Sequence, residues 1–230
     1  MNSKRAAKKG EEGENKVITL LVTDNHYHRL INNLVLLGQN NISHQIDHIL
    51  VRENGIFVIE TKNYYGEIKG KEDDSYWTRS YFVKGRIKTV KFNNPIKQNQ
   101  SHIRSIVRLI GKSYPIYCFV VFTQNNADDI DLFNVCNLNS LLNRINMIVD
   151  NVSISKSEID KIAETLLINE ADVNNEQHIE KVKEATANRK EHQKKMREAI
   201  EKRICPYCGG QLALTANGLK CIKCTNILKI

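Results

Sequence analysis

Two short stretches, SHQIDHILV (Ser43 to Val51) and GIFVIETKN (Gly55 to Asn63), are dominated by apolar side chains and are separated by Arg52, Glu53 and Asn54. Their flanks Ile46, Ile49, Leu50, Ile56, Val58 and Ile59 predict a buried pair of strands. Asn54-Gly55 predicts a type I′ hairpin turn, in which both central residues need positive φ; Glu53-Asn54 is the alternative two-residue turn. Upstream, Val17, Leu20, Leu21 and Asp24 fall on helical spacing and predict a helix from Glu11 to about Tyr27, followed by a strand over Leu30 to Leu37. Ile68 to Lys71, Tyr76 to Ser80 and Ile87 to Phe92 predict more polar strands that extend the same sheet on one side. Asn94-Pro95 predicts a helix start, because asparagine caps free amides and proline loses no hydrogen bond in a first turn. That helix is expected to reach about Ile110, with Ile96, Ile103, Ile106, Val107 and Ile110 inward, and to stop at Gly111. Pro115 then precedes IYCFVVFT (Ile116 to Thr123), an apolar run expected to be a fully buried strand. Helix, strands, helix and buried strand in this order predict an α/β fold with a mixed central sheet flanked by helices.

Downstream the pattern weakens. Lys156 to Leu167 predicts a further helix that packs on the core through Ile159, Ile162, Leu166 and Leu167. Residues 171–203 are mixed in charge and free of aromatics, which predicts a solvated helical linker; no sustained apolar heptad supports a coiled coil. Glu180 with Lys183 and Glu198 with Lys202 have helix-supporting spacing, each pair contributing only ~0.2–0.5 kcal/mol. The expected layout is a basic flexible N-terminus over 1–10, a core domain over 11–125, an extension of that core over 126–170, the linker over 171–203 and a small cysteine-bearing module over 204–230.

Composition narrows the partners. A chain of 230 residues with 41% hydrophobic content can bury a core, and its formal net charge of +8 favours a polyanionic partner. No apolar run approaches the ~20 residues of a membrane span, and no secretory core follows the basic start MNSKRAAKKG, so a cytoplasmic protein without membrane association is expected.

Strand parity turns three polar residues into a candidate site. Side chains alternate faces with period two, so Glu60 and Lys62 share one face while Ile59 and Thr61 take the other. With the Asn54-Gly55 turn Asp47 lies opposite Lys62 and diagonal to Glu60; with Glu53-Asn54 it lies opposite Glu60, and only an odd-length loop would break the shared face. Two carboxylates and an amine are the set that magnesium-dependent phosphodiester cleavage requires. A solvated edge with a salt bridge is the plainer reading of the same trio, but the flanking residues are apolar, and buried acids need a partner or a metal.

A second constellation closes the chain: CPYC (Cys205 to Cys208) and CIKC (Cys221 to Cys224), with Gly209-Gly210 directly after the first pair. Four thiolates at this spacing match a tetrahedral structural zinc site of Cys205, Cys208, Cys221 and Cys224, which leaves no open position for catalysis. A redox dithiol is the competing use of C-x-x-C. His26-x-His28 and His44-x-x-x-His48 are read as surface or satisfied core groups rather than ligands, and Cys118 as a small buried hydrophobe. Tyr64, Tyr65, Tyr76 and Trp77, interleaved with Lys69, Lys71 and Arg79, fit base stacking or sheet packing equally well.

The ordered motifs KKGEEGENKV, QIDHILV, GIFVIETKNYYGEI and NPIKQNQSH, spanning about Lys9 to Thr123, resemble the NERD (nuclease-related domain) family. That family belongs to the PD-(D/E)xK nuclease-like group, with Holliday-junction resolvases and many restriction endonucleases, and the resemblance implies a restriction-endonuclease-like core. It matches Glu14 to the acid of the first helix, Asp47 to the first strand acid, Glu60 and Lys62 to the E-x-K pair and Gln98 to the glutamine of NPxxQ. It implies a metal-dependent nuclease acting on DNA, with Asp47 and Glu60 binding Mg²⁺ or Mn²⁺ and Glu14 completing the shell through water. A catalytically inactive nucleic-acid-binding or protein-interaction module on the same fold is the alternative. The tail is similar to zinc ribbons, and CPYCGGQL looks like the C-terminal four-cysteine fingers of type IA topoisomerases, which implies a nucleic-acid contact or a protein partner for the ribbon.

Overall fold

A computed structural model describes residues 3–38, 43–149, 152–171, 191, 194–195, 197–215, 218–224 and 227–228. The chain forms two compact units, Met1–Asp172 and Val173–Ile230. The first unit is built on a five-stranded mixed sheet. In chain order it begins with helix α1 (Ser3–Leu21), then β1 (His28–Leu37), β2 (Ser43–Arg52) and β3 (Gly55–Lys62). After an inserted sheet come helix α2 (Pro95–Ile110), β7 (Ile116–Phe122), β8 (Val135–Asn137), α3 (Leu141–Met147) and α4 (Lys156–Ile168). The sheet order is β1-β2-β3-β7-β8, antiparallel through β3 and parallel from β3 to β8. Helices cover both faces, so the inner strands read as near-continuous apolar runs. Ile49, Val51 and Val58 cluster with Ile106 of α2 and with Ile159, Ile162, Ala163 and Leu166 of α4. Leu50, Phe57, Ile59, Phe119 and Val121 cluster with Val17 and Leu21 of α1 and with Leu141 and Ile145 of α3.

Several boundaries differ from the sequence reading. Helix α1 starts at Ser3 rather than Glu11 and ends at Leu21, because Asp24 is drawn into a buried ion pair with Arg52 at 3.0 Å instead of continuing the helix. Leu167 is exposed and Ala163 takes its place in the core. The β2–β3 turn is Glu53-Asn54, with Arg52 opposite Gly55. Positive φ falls on Gly55, at 144°, where a Cβ would lie 2.6 Å from the Tyr117 ring; the glycine serves close packing as well as the turn.

The polar strands do not extend the main sheet. β4 (Glu67–Lys69), β5 (Tyr76–Val83) and β6 (Arg86–Asn93) form their own three-stranded antiparallel sheet in the crossover between β3 and β7, since β7 already occupies the free edge of β3. It is anchored by fully buried Trp77, whose Nε1 donates to the Lys71 carbonyl at 2.9 Å and which stacks on Phe122. Lys84 and Gly85 both have positive φ, 48° and 78°, and make the two-residue turn between β5 and β6.

The second unit contains β9 (Leu212–Thr215), β10 (Gly218–Cys221) and β11 (Ile227–Leu228) in one antiparallel sheet. Most of the predicted linker, including Glu180 and Lys183, lies outside the described residues; of the remainder, residues 197–201 are helical and Glu198 pairs with Lys194 at 3.9 Å. No helix among the described residues is long and apolar enough to cross a membrane.

Candidate active site

The polar trio stands where two strands part. The β2–β3 ladder ends at His48 opposite Ile59, and beyond it the Asp47 carboxylate replaces a backbone acceptor: its Oδ2 accepts the Thr61 amide at 2.8 Å. From the other side β1 pairs Asn32 with His48 and Leu34 with Ile46, which leaves Asn33 level with Asp47. Asn33 has φ 57°, a left-handed conformation inside a strand, and its Oδ1 accepts from Gln45 Nε2 at 2.7 Å.

Two helices deliver the remaining groups. Gly13 of α1 sits against Asn63, the residue after β3, so closely that a Cβ at position 13 would lie 2.7 Å from the Asn63 Cβ. Asn63 holds the crossing in place: its Nδ2 donates to the Lys9 carbonyl at 2.7 Å and its Oδ1 accepts from Thr123 Oγ1 at 2.9 Å. Glu14, the next residue on α1, is thereby brought within electrostatic reach of Asp47 and Lys62. On α2, the Asn94 side chain accepts from the amides of Ile96 and Lys97 and caps the helix, as its sequence signal predicts. Buried Asn99 then pins α2 between two strands, its Nδ2 donating to the carbonyls of Val58 at 2.6 Å and Phe119 at 2.9 Å. Gln98 is exposed at the start of α2, and its Oε1 accepts from Lys62 Nζ at 3.3 Å.

Lys62 also donates to Glu60 Oε1 in a short ion pair. Glu60 is only 2% exposed, and among the described residues its Oε2 has no hydrogen-bond partner; His102 Nδ1, 3.8 Å away, is likewise buried without one. Burial lifts the Glu60 carboxyl above its ordinary range against the pull of Lys62. Burial and the Glu60 charge together push Asp47 up to about 7. Glu14 is raised by burial and by Asp47. Lys62 feels burial first, which favours the neutral amine, but the Glu60 carboxylate outweighs it and holds the lysine above its ordinary value. The cluster is therefore short of positive charge. Hard carboxylate oxygens with one buried oxygen unpartnered fit a hard divalent cation, which takes one or two carboxylates directly and keeps waters elsewhere.

An open cleft of about 470 Å³ adjoins the trio, lined by Lys62, Gln98, Tyr64, Tyr76, Lys91 and Phe92. Of the interleaved aromatics, Trp77 belongs to the core, whereas Tyr64 and Tyr76 face the cleft. His48 points away from Asp47 and bonds Asn32 Oδ1 at 2.8 Å and Thr61 Oγ1 at 3.1 Å, a satisfied core group that burial holds neutral with its pKa lowered to about 4. Cys118 is half-buried, and its thiol is pushed up to about 11. His102, Asn63 and Asn99 do not stand out in the sequence. The available signal for His102 is helical spacing, because it lies four residues after Gln98 and shares its face of α2.

In the second unit the four cysteines converge: one ligand atom from each of Cys205, Cys208, Cys221 and Cys224 lies within 4.8 Å of the others. Gly209 has φ 70°, and a Cβ on Gly210 would lie 3.0 Å from Cys221 Sγ, so both glycines make room for the thiol cluster. The amides of Cys224 and Lys223, each 3.4 Å from Cys221 Sγ, favour its thiolate and pull its pKa down to about 6. These four thiols could bind zinc. They are the group of three or more His, Cys, Asp or Glu side chains whose ligand atoms draw together so tightly among the described residues; Glu14, Asp47 and Glu60 do not.

Residues 9–123 match the nuclease-related domain, NERD. An uncharacterised protein of Bacillus anthracis is 36% identical over 115 residues, 50% of this chain and 52% of that protein, so the chain spans about half the length of the curated relative it matches. No solved structure matches the chain. The matched segment starts on α1 before Glu14 and ends just after β7, thus enclosing Asp47, Glu60, Lys62, Gln98 and the cleft beside them, and the chain belongs to the nuclease-related domain family.

Proposed function

We propose that the first unit is a metal-dependent nuclease that hydrolyses phosphodiester bonds in DNA by in-line attack of water. The observation that carries this reading is the pairing of half-buried Asp47 and buried Glu60 with Lys62, while Glu60 Oε2 has no hydrogen-bond partner among the described residues. Burying two like charges side by side is costly unless a cation joins them. Asp47 and Glu60 would hold Mg²⁺ or Mn²⁺ directly, and Glu14 through water. The chemistry such a cation supplies when bound is positive charge beside the scissile phosphate and an acidified water.

The chain's own groups do the rest. Lys62 keeps its proton at Nζ and donates to a non-bridging phosphate oxygen as charge grows there. Gln98 accepts from the same Nζ and fixes its direction. Lys91 and Tyr64 line the approach and bind the backbone on either side of the scissile bond. The cysteine module is a zinc ribbon whose Zn²⁺ is structural and which contributes a further contact to nucleic acid or to a protein partner.

The test is cleavage of supercoiled, linear and single-stranded DNA and of RNA, with Mg²⁺ or Mn²⁺, by the wild type and by Asp47→Ala and Lys62→Ala. Activity in the wild type that both substitutions abolish supports the reading. Equal activity in all three, or none in any, overturns it; binding that persists without hydrolysis points to a non-catalytic module instead.

A further inference from the structure

The inserted β5–β6 hairpin ends in an exposed apolar pair. Phe82 and Ile87 face each other across the strands and are 72% and 73% exposed, and Val83 on the opposite face is 42% exposed. β4 pairs only with Thr78 to Ser80, so among the described residues the hairpin from Tyr81 to Lys88 is a two-stranded ribbon without a third strand. Between Tyr76 and Asn93 the chain carries Arg79, Lys84, Arg86, Lys88 and Lys91 and no acid. One face runs directly from the cleft to the tip. Tyr76, Asn93 and Lys91 line the cleft, then come Thr78, Ser80 and Thr89, with the two hydroxyls of Ser80 and Thr89 bonded at 2.9 Å, and then Phe82 and Ile87. Small hydroxyls between two recognition points leave this face flat. Acids border only its inner end: Glu67 of β4 pairs with Lys69 at 2.8 Å, and Glu72, Asp74, Asp129 and Asp131 line a neighbouring cleft with Tyr76 and Thr78.

From these features we infer that the β5–β6 hairpin is a DNA-reading arm, whose tip enters the major groove of a B-form duplex beside the cleft. A two-stranded β-ribbon fits that groove, which is too deep and narrow in A-form RNA, and a single strand offers no groove at all. Lys84, Arg86 and Lys88 bind phosphates along the groove walls, while Phe82 and Ile87 meet thymine methyls and base edges. Ile87 at the tip lies four residue steps from Lys91 in the cleft, about 13 Å at ~3.3 Å per residue. At ~3.4 Å per base step, the tip touches the duplex about four base pairs from the phosphate in the cleft. This spacing rests on the nuclease reading, which identifies the cleft with the scissile bond; the binding role of the ribbon does not.

The experiment measures binding of the full chain by fluorescence anisotropy in EDTA, so that no cleavage intervenes, across a salt series. The probes are a duplex DNA of about three helical turns, its single strand, the corresponding duplex RNA, and vesicles of anionic phospholipid. Duplex DNA is expected to bind tightest. Arg86→Ser with Lys88→Ser should lower the slope of log affinity against log salt by about 2, one for each phosphate no longer neutralised. Phe82→Ser with Ile87→Ser should weaken duplex binding by about tenfold at unchanged slope, since apolar groups release no counterions. Unchanged duplex affinity in both hairpin variants overturns the inference, as does a preference for the single strand or for duplex RNA. Hairpin-dependent vesicle binding with unaffected DNA binding overturns it in favour of a membrane element. Thermal melts check folding, and both variants alter only exposed positions. Hairpin-dependent duplex binding in a protein that never cleaves would leave this inference standing and the nuclease reading fallen; Mg²⁺-dependent cleavage untouched by the hairpin variants would do the reverse.

Discussion

Asp47 Oδ2 accepts the amide of Thr61 at 2.8 Å at the point where β2 and β3 cease to pair. One carboxylate thus closes a gap in the backbone ladder and faces the like charge of Glu60. The two duties separate under substitution. Asp47→Asn keeps an acceptor for the amide and removes the repulsion, so the metal-free variant should be more stable than the wild type at pH 8. Asp47→Ala also removes the repulsion but leaves a part-buried N–H unpaired, and should be less stable than Asp47→Asn by about 1 kcal/mol. Urea denaturation in EDTA measures both. Neither variant should gain stability from Mn²⁺, whereas the wild type should do so by mass action.

The raised Asp47 pKa sets a pH dependence with a defined sign. The unfolded carboxyl ionises near its ordinary value of 3.8 and the folded one is pushed up to about 7, so between those values the folded state binds more protons. Metal-free wild type should therefore lose stability as pH rises from about 4 to about 7 and level off above. Asp47→Asn should flatten most of that slope, Glu60 contributing in the same direction. Mn²⁺ affinity should rise over the same window, because the cation competes with the proton for the carboxylates. Thermal melts at fixed ionic strength, with and without Mn²⁺, read out all of this; a slope of opposite sign would show that Asp47 is not raised.

Gly13 lies within α1, where alanine ordinarily gains about 1 kcal/mol over glycine. Here the added methyl would meet Asn63 Cβ at 2.7 Å, an atom fixed to the backbone at the end of β3 and unable to swing aside. The clash should win. Gly13→Ala is expected to destabilise the first unit by about 1–3 kcal/mol, the usual cost of overpacking. It should also weaken Mn²⁺ binding by moving Glu14, whereas Gly10→Ala on the same helix, whose Cβ would meet only Glu14 Oε1 at 3.8 Å, should be neutral or stabilising.

Zinc removal should unfold the second unit and leave the first folded. Among the described residues its core is Cys205, Leu212, Leu219 and Cys221, with Ile200, Cys208 and Cys224 packed against them, too few apolar groups to hold a fold unaided. One zinc per chain is expected by mass spectrometry under native conditions. Chelation or Cys221→Ser should erase the dispersed amide signals of residues 204–224 in NMR and leave those of β2, β3 and β7 in place, because structural zinc supplies roughly 10–16 kcal/mol to such modules.

Much of the site is legible in the sequence because parity is robust to register. The Asn54-Gly55 and Glu53-Asn54 turns differ by one pairing step on each strand, yet both keep Asp47, Glu60 and Lys62 together, so the trio does not depend on which turn forms. Local signals also hold where a residue acts on its own neighbours, as Asn94 does in capping α2. What escapes the sequence is decided by distant contacts. Whether β4 to β6 join the main sheet depends on β7 taking the free edge of β3, and the end of α1 on an ion pair between Asp24 and Arg52. The inward face of α2 reads as aliphatic, but Asn99 and His102 occupy it, because only the fold puts the carbonyls of Val58 and Phe119 and the Glu60 carboxylate in front of them.

The crossover from β3 to β7 has a consequence for how such a protein can change. Lys62 ends β3, Gln98 begins α2, and everything between them, the β4–β6 sheet included, leaves and re-enters the fold at the rim of the cleft. Insertions, deletions or substitutions in the hairpin alter neither β2 nor β3, nor the Asn99 anchor that holds α2 between β3 and β7. Descendants of this chain could therefore exchange what they grip while inheriting the acids and the lysine intact, a division that lets targets diversify faster than chemistry.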